Sequence, residues 1–537
     1  MTSYWNGKTR DELWEQLLEV GSRPPGWDII VIGGGITGAG ILHEASRLGL
    51  DVALVEQKDF AWGTSSRSSK MIHGGLRYLA SGDFRLSRDS VKERNRLLLE
   101  LPGLVDPLGF LLSHYRRKFP GPISFNILLA IYDFFAGQWN HRFYPKPEYL
   151  LMAPRIKEAG LRGGTRFVDG VTDDARLVLR LIQDSVLKSA LALNYVEATE
   201  LLMSKGVVRG IVARDSATGQ EAEVFARAVI NASGAWTDRL RTRIGGGKDI
   251  RPLRGSHLVF PIWRLPVAQA ITLMHPEDHR PAFIFPWEGA TVVGTTDLDH
   301  SQDLNQEPRI TEEEVRYLLA IVEHQFPSLA ISRDDVLSTF SGIRPVVHMK
   351  RRGKVDPSKE RREHSIWEEK GLISIGGGKL TTYRLVARDA LKRVIHDPLE
   401  GHEKKQAPFE KSGVSAELHS MHSQLGHFTK RRLRGRYGSL WPQVISTSKG
   451  GELQPVPGTN TLWTELRWAA RNEGVVHLDD LLMRRTRLGI TLREGGLRYS
   501  QKIKAICQEE LDWDENEWEQ EFTAYKNLWH QCYSIHE

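Results

Sequence analysis

Cysteine is scarce in this chain, which has only Cys507 and Cys532 among its 537 residues. The two lie far apart and form no CxxC pattern. On their own they are too few to ligate an iron–sulfur cluster or a zinc ion. Low cysteine usage is typical of a reducing compartment. The sequence therefore predicts an intracellular protein with no bound metal.

Long apolar runs and a strong excess of one charge are also missing. No stretch reaches the roughly 18 uninterrupted apolar residues of a membrane-spanning helix, and the N-terminus lacks the apolar segment of a secretory signal. The 73 Lys and Arg against 67 Asp and Glu give a formal charge of +6. This mildly basic balance does not call for nucleic acid, but it is compatible with phosphorylated substrates or anionic lipid. We expect a cytoplasmic protein.

Glycine is present in a pattern that carries information. An apolar run at 28–32 enters a glycine-rich turn, a helical pattern follows, and a second apolar run at 52–55 ends on Glu56. This order is the fingerprint of a dinucleotide-binding unit, in which glycines admit the pyrophosphate and the acid takes ribose hydroxyls. An acid at this place favours NAD or FAD over NADP. The residues predicted to contact the nucleotide are Gly33, Gly34, Gly35, Thr37, Gly38 and Glu56.

The segment after Glu56 favours FAD over NAD. Residues 59–78 are small, polar and glycine-paired, whereas an NAD domain would normally continue with another helix and strand. We expect hydroxyls and backbone N–H groups here to line a second length of pyrophosphate and the ribitol, and a glycine pair to let the chain pass close to a flat ring. The residues are Thr64, Ser65 and Ser69, then Gly74 and Gly75.

Several motifs in a fixed order resemble one family. The runs SSKMIHGGLRYL (68–79) and IGGGKLTTYR (375–384) are similar to those of the FAD-dependent glycerol-3-phosphate dehydrogenases. Further support comes from NASGAW (231–236), RGSH (254–257), GTTD (294–297), SGIRP (341–345) and RRTRLG (484–489). The resemblance implies a flavoprotein that oxidises sn-glycerol 3-phosphate to dihydroxyacetone phosphate and passes electrons to a membrane quinone. It also implies peripheral attachment to the inner face of the cytoplasmic membrane, and a homodimer.

The predicted fold is of α/β and α+β class. It comprises a Rossmann-type FAD-binding domain, an antiparallel-sheet substrate domain and a helical C-terminal cap domain. Short apolar runs between turn signals indicate the antiparallel sheet, and helical patterns dominate after about residue 400. The predicted boundaries are an N-terminal arm at 1–25, a discontinuous FAD-binding domain at 26–100, 165–236 and 336–395, a substrate and membrane-proximal domain at 101–164 and 237–335, and the helical domain at 400–537.

The implied reaction needs cations for a phosphate dianion, an acceptor for a hydroxyl proton, and a flavin within hydride distance. Arginine suits the phosphate because its guanidinium fork matches the oxygens, and a histidine suits proton abstraction near neutrality. We predict His257, Arg344 and Arg77 as catalytic, although an arginine-stabilised alkoxide would also serve in place of a histidine base. The predicted substrate-binding residues are Arg77, Tyr78, His257, Arg344, Arg362 (or its neighbour Arg361), Lys379 and Thr381.

Two further turns are expected beside the flavin. Glycines in NASGAW and in GGGKL let backbone N–H groups approach a ring, and the charge of a lysine near the pyrimidine end stabilises negative charge there. The residues assigned to the flavin side are His73, Gly74, Gly75, Gly234, Gly378, Lys379 and Leu380.

Two questions stay open in the sequence. The basic run at 115–118 precedes an aromatic-rich apolar stretch at 125–135, which fits either an interfacial helix or a buried core helix.

The function also has alternatives. They are an oxidase of the same substrate that uses O₂, which the short span from Arg344 to Gly376 disfavours, a related FAD-dependent amine or hydroxy-acid oxidase, and a flavin-binding protein without activity.

Overall fold

The computed structural model describes residues 5, 7–76, 79, 82–348, 364–395 and 425–535. Its strands are, in chain order, β1 (Trp27–Ile32), β2 (Val52–Glu56), β3 (Met71–Ile72), β4 (Val105–Tyr115), β5 (Arg142–Pro145), β6 (Leu161–Thr172), β7 (Leu191–Asn194), β8 (Val196–Ser204), β9 (Val207–Asp215), β10 (Glu221–Asn231), β11 (Ile250–Pro261), β12 (Ala270–Met274), β13 (Pro281–Trp287), β14 (Ala290–Gly294), β15 (Leu298–Asp299), β16 (Ser338–Val347), β17 (Ser365–Glu369) and β18 (Leu372–Gly376).

The α-helices follow the same numbering along the described chain. They are α1 (Arg10–Gly21), α2 (Ile36–Arg47), α3 (Phe84–Glu100), α4 (Pro122–Ala136), α5 (Lys146–Met152), α6 (Asp174–Val186), α7 (Thr237–Arg243), α8 (Glu312–Gln325), α9 (Tyr383–Leu391), α10 (His427–Tyr437), α11 (Trp441–Ser446), α12 (Trp463–Asn472), α13 (Leu488–Thr491), α14 (Ser500–Glu510) and α15 (Glu515–Cys532).

The first sheet has a parallel centre in the order β7-β2-β1-β10-β18, with β17 added antiparallel at the β18 edge. β8 and β9 extend β10 as an antiparallel meander. The central strands are apolar on both faces because helices cover both sides of a parallel sheet. α2, α6 and α9 contribute buried side chains to the shared core. The carboxyl ends of β1, β2, β10 and β18 therefore meet at one edge, where ligands bind in such sheets.

The second sheet runs in the order β15-β11-β14-β13-β12-β4-β6-β3, with β16 on β11 and β5 on β6. The predicted antiparallel pairing holds at every pair except β12 with β4, which is parallel. The run at 257–260, expected to start a strand, lies inside β11, which begins at Ile250. β16 lies in the stretch grouped by sequence with the nucleotide part, but it pairs with β11 over ten residues and so belongs to the second sheet. Most of β6 lies within residues 165–236, which were also grouped by sequence with the FAD-binding domain. β6 pairs with β4, so it too belongs to the second sheet.

The C-terminal helices pack on the second sheet. Trp287 and Phe285 of β13 lie in one buried cluster with Leu481, Ile506 and Trp529 from the C-terminal region. α8 covers the opposite face of the sheet, where Leu318 and Ile321 meet β11 and β14 side chains. The predicted α/β and α+β class, with a helical C-terminal region, is confirmed. None of the helices in the described residues has the length and hydropathy needed to cross a bilayer.

Candidate functional site

The glycine turn after β1 forms the floor of the site. Gly33 has a φ of 111°, a conformation that favours glycine. A Cβ on Gly38 would overlap the Gly33 carbonyl oxygen, so glycine is needed for α2 to pack this close to the turn. Gly35, at the N-cap of α2, has no side chain to cap the helix, and Ile36 N–H donates to Ser65 Oγ at 2.9 Å. The positive end of the helix dipole therefore faces the space above the turn.

A cavity opens above this turn and contains about 1290 Å³, including solvent at its mouth. It lies between the carboxyl edge of the first sheet and the loop at 56–68. The predicted cofactor residues that line it are Gly33, Gly35, Thr37, Glu56, Thr64, Ser65, Gly234, Gly378, Lys379 and Leu380. The sequence thus identified residues from four separate stretches that the fold brings together.

The other predicted cofactor residues are not among those that line the cavity. They are Gly34, Gly38, Ser69, His73, Gly74 and Gly75. Gly74 N–H donates to the Tyr132 hydroxyl at 2.8 Å, and the His73 carbonyl accepts from Thr381 Oγ1 at 3.3 Å. Ser69 Oγ lies 2.9 Å from His257 Nε2. Direct contact of these residues with a cofactor stays a prediction, and their bonds in this structure hold neighbouring parts of the site.

Sequence reasoning missed part of the cavity wall. Trp62 lines the cavity, with Lys58 Nζ 3.7 Å from its ring centroid. Trp236 lies opposite at 6.0 Å between ring centroids, and its indole N–H donates to Asn305. Val196 and its neighbours on β8 also contribute. The NASGAW motif includes Trp236. No local sequence pattern predicts that β8 residues line the cavity, because their position depends on how the β8–β10 meander packs.

Glu56 meets the requirement for a ribose-binding acid. Its carboxylate accepts N–H groups from Gly34 at 2.6 Å and Lys58 at 2.9 Å, and burial raises its pKa. Two backbone bonds hold the carboxylate at the cavity wall and leave acceptor lone pairs for hydroxyl groups. A glycine cradle without room for a Cβ, an open helix N-terminus and this acid fit the ribose and pyrophosphate of FAD.

His257 lies at the centre of β11, where it is 1% exposed. Its ring stacks on Phe340 with centroids 4.5 Å apart and 13° between planes, and a Cβ on Gly294 would overlap its other side. Nε2 bonds Ser69, while Nδ1 is buried and has no hydrogen-bond partner in the described residues. Burial lowers the pKa of His257 well below its ordinary value, and the charges of Lys70 and Arg344 lower it further. The imidazole is therefore neutral at pH 7.

Arg344 lies on the adjacent strand β16, where it pairs with Leu253, four residues before His257 on β11. Its Nη1 donates to Asp297 Oδ1 at 2.8 Å and its Nη2 to Thr295 Oγ1 at 3.1 Å. The side chain is 22% exposed. Thr64 on the cavity wall donates its hydroxyl to the Ile343 carbonyl, one residue before Arg344. Pro345, which follows Arg344, lines the cavity, whereas Arg344 and His257 themselves are not among the lining residues.

The remaining predicted substrate residues divide into two groups. Lys379 lines the cavity, and Thr381 is buried behind it. Arg77, Tyr78 and Arg362, with its neighbour Arg361, lie outside the described residues. Their roles stay predictions. In the described residues, no group of three or more His, Cys, Asp or Glu side chains could hold a metal ion.

The RRTRLG motif supplies buried ion pairs. Arg485 donates to both oxygens of Asp59 at 2.6 and 2.7 Å, and Arg484 pairs with the same carboxylate. Burial alone would raise the pKa of Asp59, but the two guanidinium charges outweigh it and hold the pKa well below its usual range. Because Asp59 begins the loop that lines the cavity, the C-terminal region holds that loop in place.

α4 has one buried face and one exposed face. Phe125, Leu129 and Tyr132 are buried. On the opposite side Ile123 and Phe134 are 77% and 75% exposed, and the basic residues 116–118 before the helix are also exposed. One face of α4 therefore belongs to the core, and for the exposed apolar face the interfacial interpretation stays a prediction.

Comparisons with known proteins match both halves of the chain. Residues 28–384 match the family model described as FAD dependent oxidoreductase, and residues 398–518 match the C-terminal domain of alpha-glycerophosphate oxidase. The aerobic glycerol-3-phosphate dehydrogenase of Staphylococcus haemolyticus is 34% identical over 86% of both chains. That of Bacillus subtilis is 39% identical over 68% of this chain and 67% of its own.

Solved structures give the same picture. The glycerol-3-phosphate dehydrogenase from Bacillus halodurans, complexed with FAD, superposes with a TM-score of 0.74 and 29% identity, covering 97% of this chain and 96% of that chain. The FAD-bound L-alpha-glycerophosphate oxidase from Mycoplasma pneumoniae, at 18% identity, has a TM-score of 0.53 and covers 69% of this chain and 95% of its own. This second similarity concerns the fold alone.

Proposed function

The chain belongs to the FAD-dependent glycerol-3-phosphate dehydrogenase family, and on that premise we propose that it oxidises sn-glycerol 3-phosphate to dihydroxyacetone phosphate and passes the electrons to a membrane quinone. The observation that carries the oxidation is the link between the nucleotide cavity and the strands that hold His257 and Arg344. Arg344 stands in β16 between Ile343, whose carbonyl accepts the Thr64 hydroxyl, and Pro345, which lines the cavity, and His257 lies on the paired strand β11. The site therefore combines a cofactor cradle with a cation and a neutral hydrogen-bonding group.

The residues that would hold FAD are the turn glycines, Glu56, and Thr64 and Ser65 on the facing loop. When bound, FAD supplies the acceptor for a hydride from the substrate carbon. The loop hydroxyls and the N-terminus of α2 suit the pyrophosphate because they offer hydrogen bonds and a positive dipole end. Trp62 and Trp236 border the cavity and limit the access of water to it.

Arg344 supplies positive charge for the substrate. Asp297 and Thr295 orient its guanidinium, so little side-chain freedom is lost when an anion binds. Guanidinium groups bind phosphate oxygens in a bidentate manner, and the same charge also stabilises a developing alkoxide. Arg344 therefore binds the phosphorylated alcohol and lowers the barrier to loss of its hydroxyl proton.

His257 accepts a hydrogen bond from the substrate hydroxyl. Its imidazole is neutral at pH 7 because burial lowers its pKa well below the ordinary value. Such a histidine is a weak base, so the nearby arginine charge has to share in stabilising the deprotonated oxygen. Both routes considered from the sequence, a histidine base and an arginine-stabilised alkoxide, therefore act together in this site.

Reduction of the bound flavin tests this function. Under anaerobic conditions sn-glycerol 3-phosphate should bleach the flavin absorbance, whereas glycerol, which lacks the phosphate, and an amino acid should not. Bleaching by the amino acid instead would favour the amine-oxidase alternative, and an unbleached flavin with all three would contradict the proposal. Rapid peroxide formation in air without a quinone would favour the oxidase.

The exposed face of α4 supports contact with a membrane surface. Ile123, Ile127 and Phe134 form an apolar stripe next to the basic residues 116–118, as in interfacial helices that bind anionic lipid. We expect the protein to co-sediment with vesicles that contain anionic lipid. Phe134→Glu should abolish this binding, whereas Trp263→Glu, at an equally exposed site elsewhere, should not. Equal binding by both variants would contradict α4 as the docking face.

A quinone and a homodimer complete the proposal. A soluble quinone analogue should reoxidise the reduced flavin faster than O₂ does, and slower reoxidation by the quinone would contradict a quinone acceptor. The homodimer is expected from the family. Sedimentation of the purified holoenzyme at twice the monomer mass would support it, and sedimentation at the monomer mass would contradict it.

A further inference from the structure

One buried carboxylate organises the turn at 66–70. Asp174 accepts the Ser68 N–H at 2.9 Å and the Ser68 hydroxyl at 2.7 Å. Lys70 Nζ donates to both Asp174 oxygens at 2.9 Å and to the Ser66 carbonyl at 2.6 Å. Lys70 is fully buried and has a φ of 58°, which a residue other than glycine adopts only where its surroundings hold it. The Lys70–Asp174 pair therefore fixes the backbone of this turn.

The C-terminal region provides a second hold on the same turn. Arg487, which is 1% exposed, donates from Nη2 to the Ser66 carbonyl at 2.7 Å and to Asp174 at 3.2 Å. Its Nη1 donates to the Met483 carbonyl at 2.8 Å. A buried arginine with several acceptors keeps one geometry because each lost bond would leave a buried polar group unsatisfied. The turn is thus held between α6 and the C-terminal helices.

The turn reaches the catalytic histidine through its middle residue. Ser69 lies between Ser68 and Lys70, and its hydroxyl is 2.9 Å from His257 Nε2. Lys70 Nζ is 4.6 Å from the centroid of Phe340, the ring on which His257 stacks. The same turn therefore holds one nitrogen of the imidazole and supports the ring that flanks it.

We propose that Lys70 is a positioning residue for His257. Held by Asp174 and Arg487, it fixes Ser69 so that the Ser69 hydroxyl engages Nε2 and sets the orientation of the imidazole ring. This assignment rests on the proposed function, since it gives His257 a substrate to face. It also gives the C-terminal helices a role in the site, because Arg487 belongs to them. Nδ1 is the ring nitrogen that is buried without a hydrogen-bond partner in the described residues.

A double-mutant cycle tests the proposal in the holoenzyme. The variants are Ser69→Ala, Lys70→Met and the double variant, with Arg467→Met as control. Arg467 is also buried in an ion-paired cluster, with Glu452 and Glu510, but it lies away from the turn. The readouts are FAD content, KM for sn-glycerol 3-phosphate, and the anaerobic rate of flavin reduction at saturating substrate.

We expect Ser69→Ala and Lys70→Met each to slow flavin reduction by roughly 10- to 100-fold per bound FAD, because small misplacements of a reacting group have effects of this size. The double variant should be clearly less impaired than the product of the two single effects, since Lys70 acts on His257 mainly through Ser69. Arg467→Met should lower thermal stability and leave the reduction rate unchanged.

Other results would overturn the proposal. Multiplying effects in the double variant would show that Lys70 acts independently of Ser69, and a wild-type rate in Ser69→Ala would remove the link to His257. If Lys70→Met fails to yield holoenzyme, Arg487→Met takes its place in the cycle. A wild-type flavin that sn-glycerol 3-phosphate does not reduce would refute the proposed function itself, which distinguishes the two failures.

Discussion

The two ends of the site are built in different ways. At the nucleotide end the turn glycines, the helix N-terminus and the ribose-binding acid are supplied by one continuous βαβ unit. The substrate end consists of side chains that come from far apart in the chain, with Ser69, His257 and Arg344 on separate elements. A motif of local backbone geometry is therefore visible in the sequence, whereas a cluster of side chains forms only when a sheet brings distant strands together. The two ends should also fail separately when mutated.

The largest effect is expected at the nucleotide end. Gly38→Ala places a Cβ on the Gly33 carbonyl oxygen, so α2 has to move away from the turn. We expect FAD binding to weaken by at least about 100-fold, as overpacking of a close contact does. The matched control is Gly450→Ala, where a Cβ meets nothing within 4 Å. The flavin-to-protein ratio after purification measures the result, and equal ratios for the two variants would contradict a backbone cradle.

The next effect belongs to the substrate end. Arg344→Met removes the guanidinium and should lower kcat/KM for sn-glycerol 3-phosphate by roughly 30- to 100-fold, since bonds to charged groups contribute about 1.5–3 kcal/mol. FAD content should stay at the wild-type level. Arg264→Met removes an arginine of similar exposure that pairs with Asp335 outside the site, and it serves as the control. Loss of FAD from Arg344→Met would contradict the prediction that the nucleotide end and the substrate end fail separately when mutated.

A smaller change at the nucleotide end sharpens the comparison. Glu56→Gln keeps the shape of the side chain but weakens its bonds to the Gly34 and Lys58 N–H groups and to ribose hydroxyls. We expect FAD affinity to fall by about ten-fold because a charged acceptor becomes neutral, and the rate of flavin reduction in the fully loaded enzyme to stay unchanged. Glu221→Gln, on the exposed start of β10, should change neither. A changed rate of flavin reduction in Glu56→Gln with unchanged FAD affinity would contradict this prediction.

The smallest effect is a pH dependence of stability at the substrate end. The folded-state pKa of His257 lies well below its ordinary value of about 6.5. Below pH 6.5 the unfolded chain therefore binds a proton that the folded chain does not, and stability falls as pH falls, by at most about 1.4 kcal/mol per pH unit. In the His257→Gln variant, the part of the pH dependence of stability that comes from His257 should be absent. Identical pH dependences of Tm for the wild type and His257→Gln would contradict a neutral buried imidazole.

At the nucleotide end, the glycine turn and the acid could be predicted from the sequence. Gly33, Gly35 and Glu56 line the cavity, as local spacing indicated. Gly34 and Gly38 shape the same turn from behind, because their contacts are with Glu56 and the Gly33 carbonyl oxygen. The fold class was predictable for the same reason, since apolar periodicity marks strands and helices directly.

The substrate end could be predicted only in part. His257 and Arg344 were predicted through motif resemblance, but the pairing of β11 with β16 was not, because residues 336–347 were grouped with the FAD-binding domain. The Lys70–Asp174 pair was missed, although tandem acids at 173–174 before a helix were a usable signal. Asp59 and Arg485 are separated by 426 residues, and no local sequence pattern predicts such a pair.

The measurement that tests the central claim most directly is an anaerobic titration of the purified holoenzyme with sn-glycerol 3-phosphate. The account predicts that one equivalent of substrate bleaches one equivalent of bound flavin, that dihydroxyacetone phosphate appears in equal amount, and that Arg344→Met with full FAD bleaches far more slowly. A flavin that stays oxidised in the wild type, or that bleaches equally fast in Arg344→Met, would contradict it.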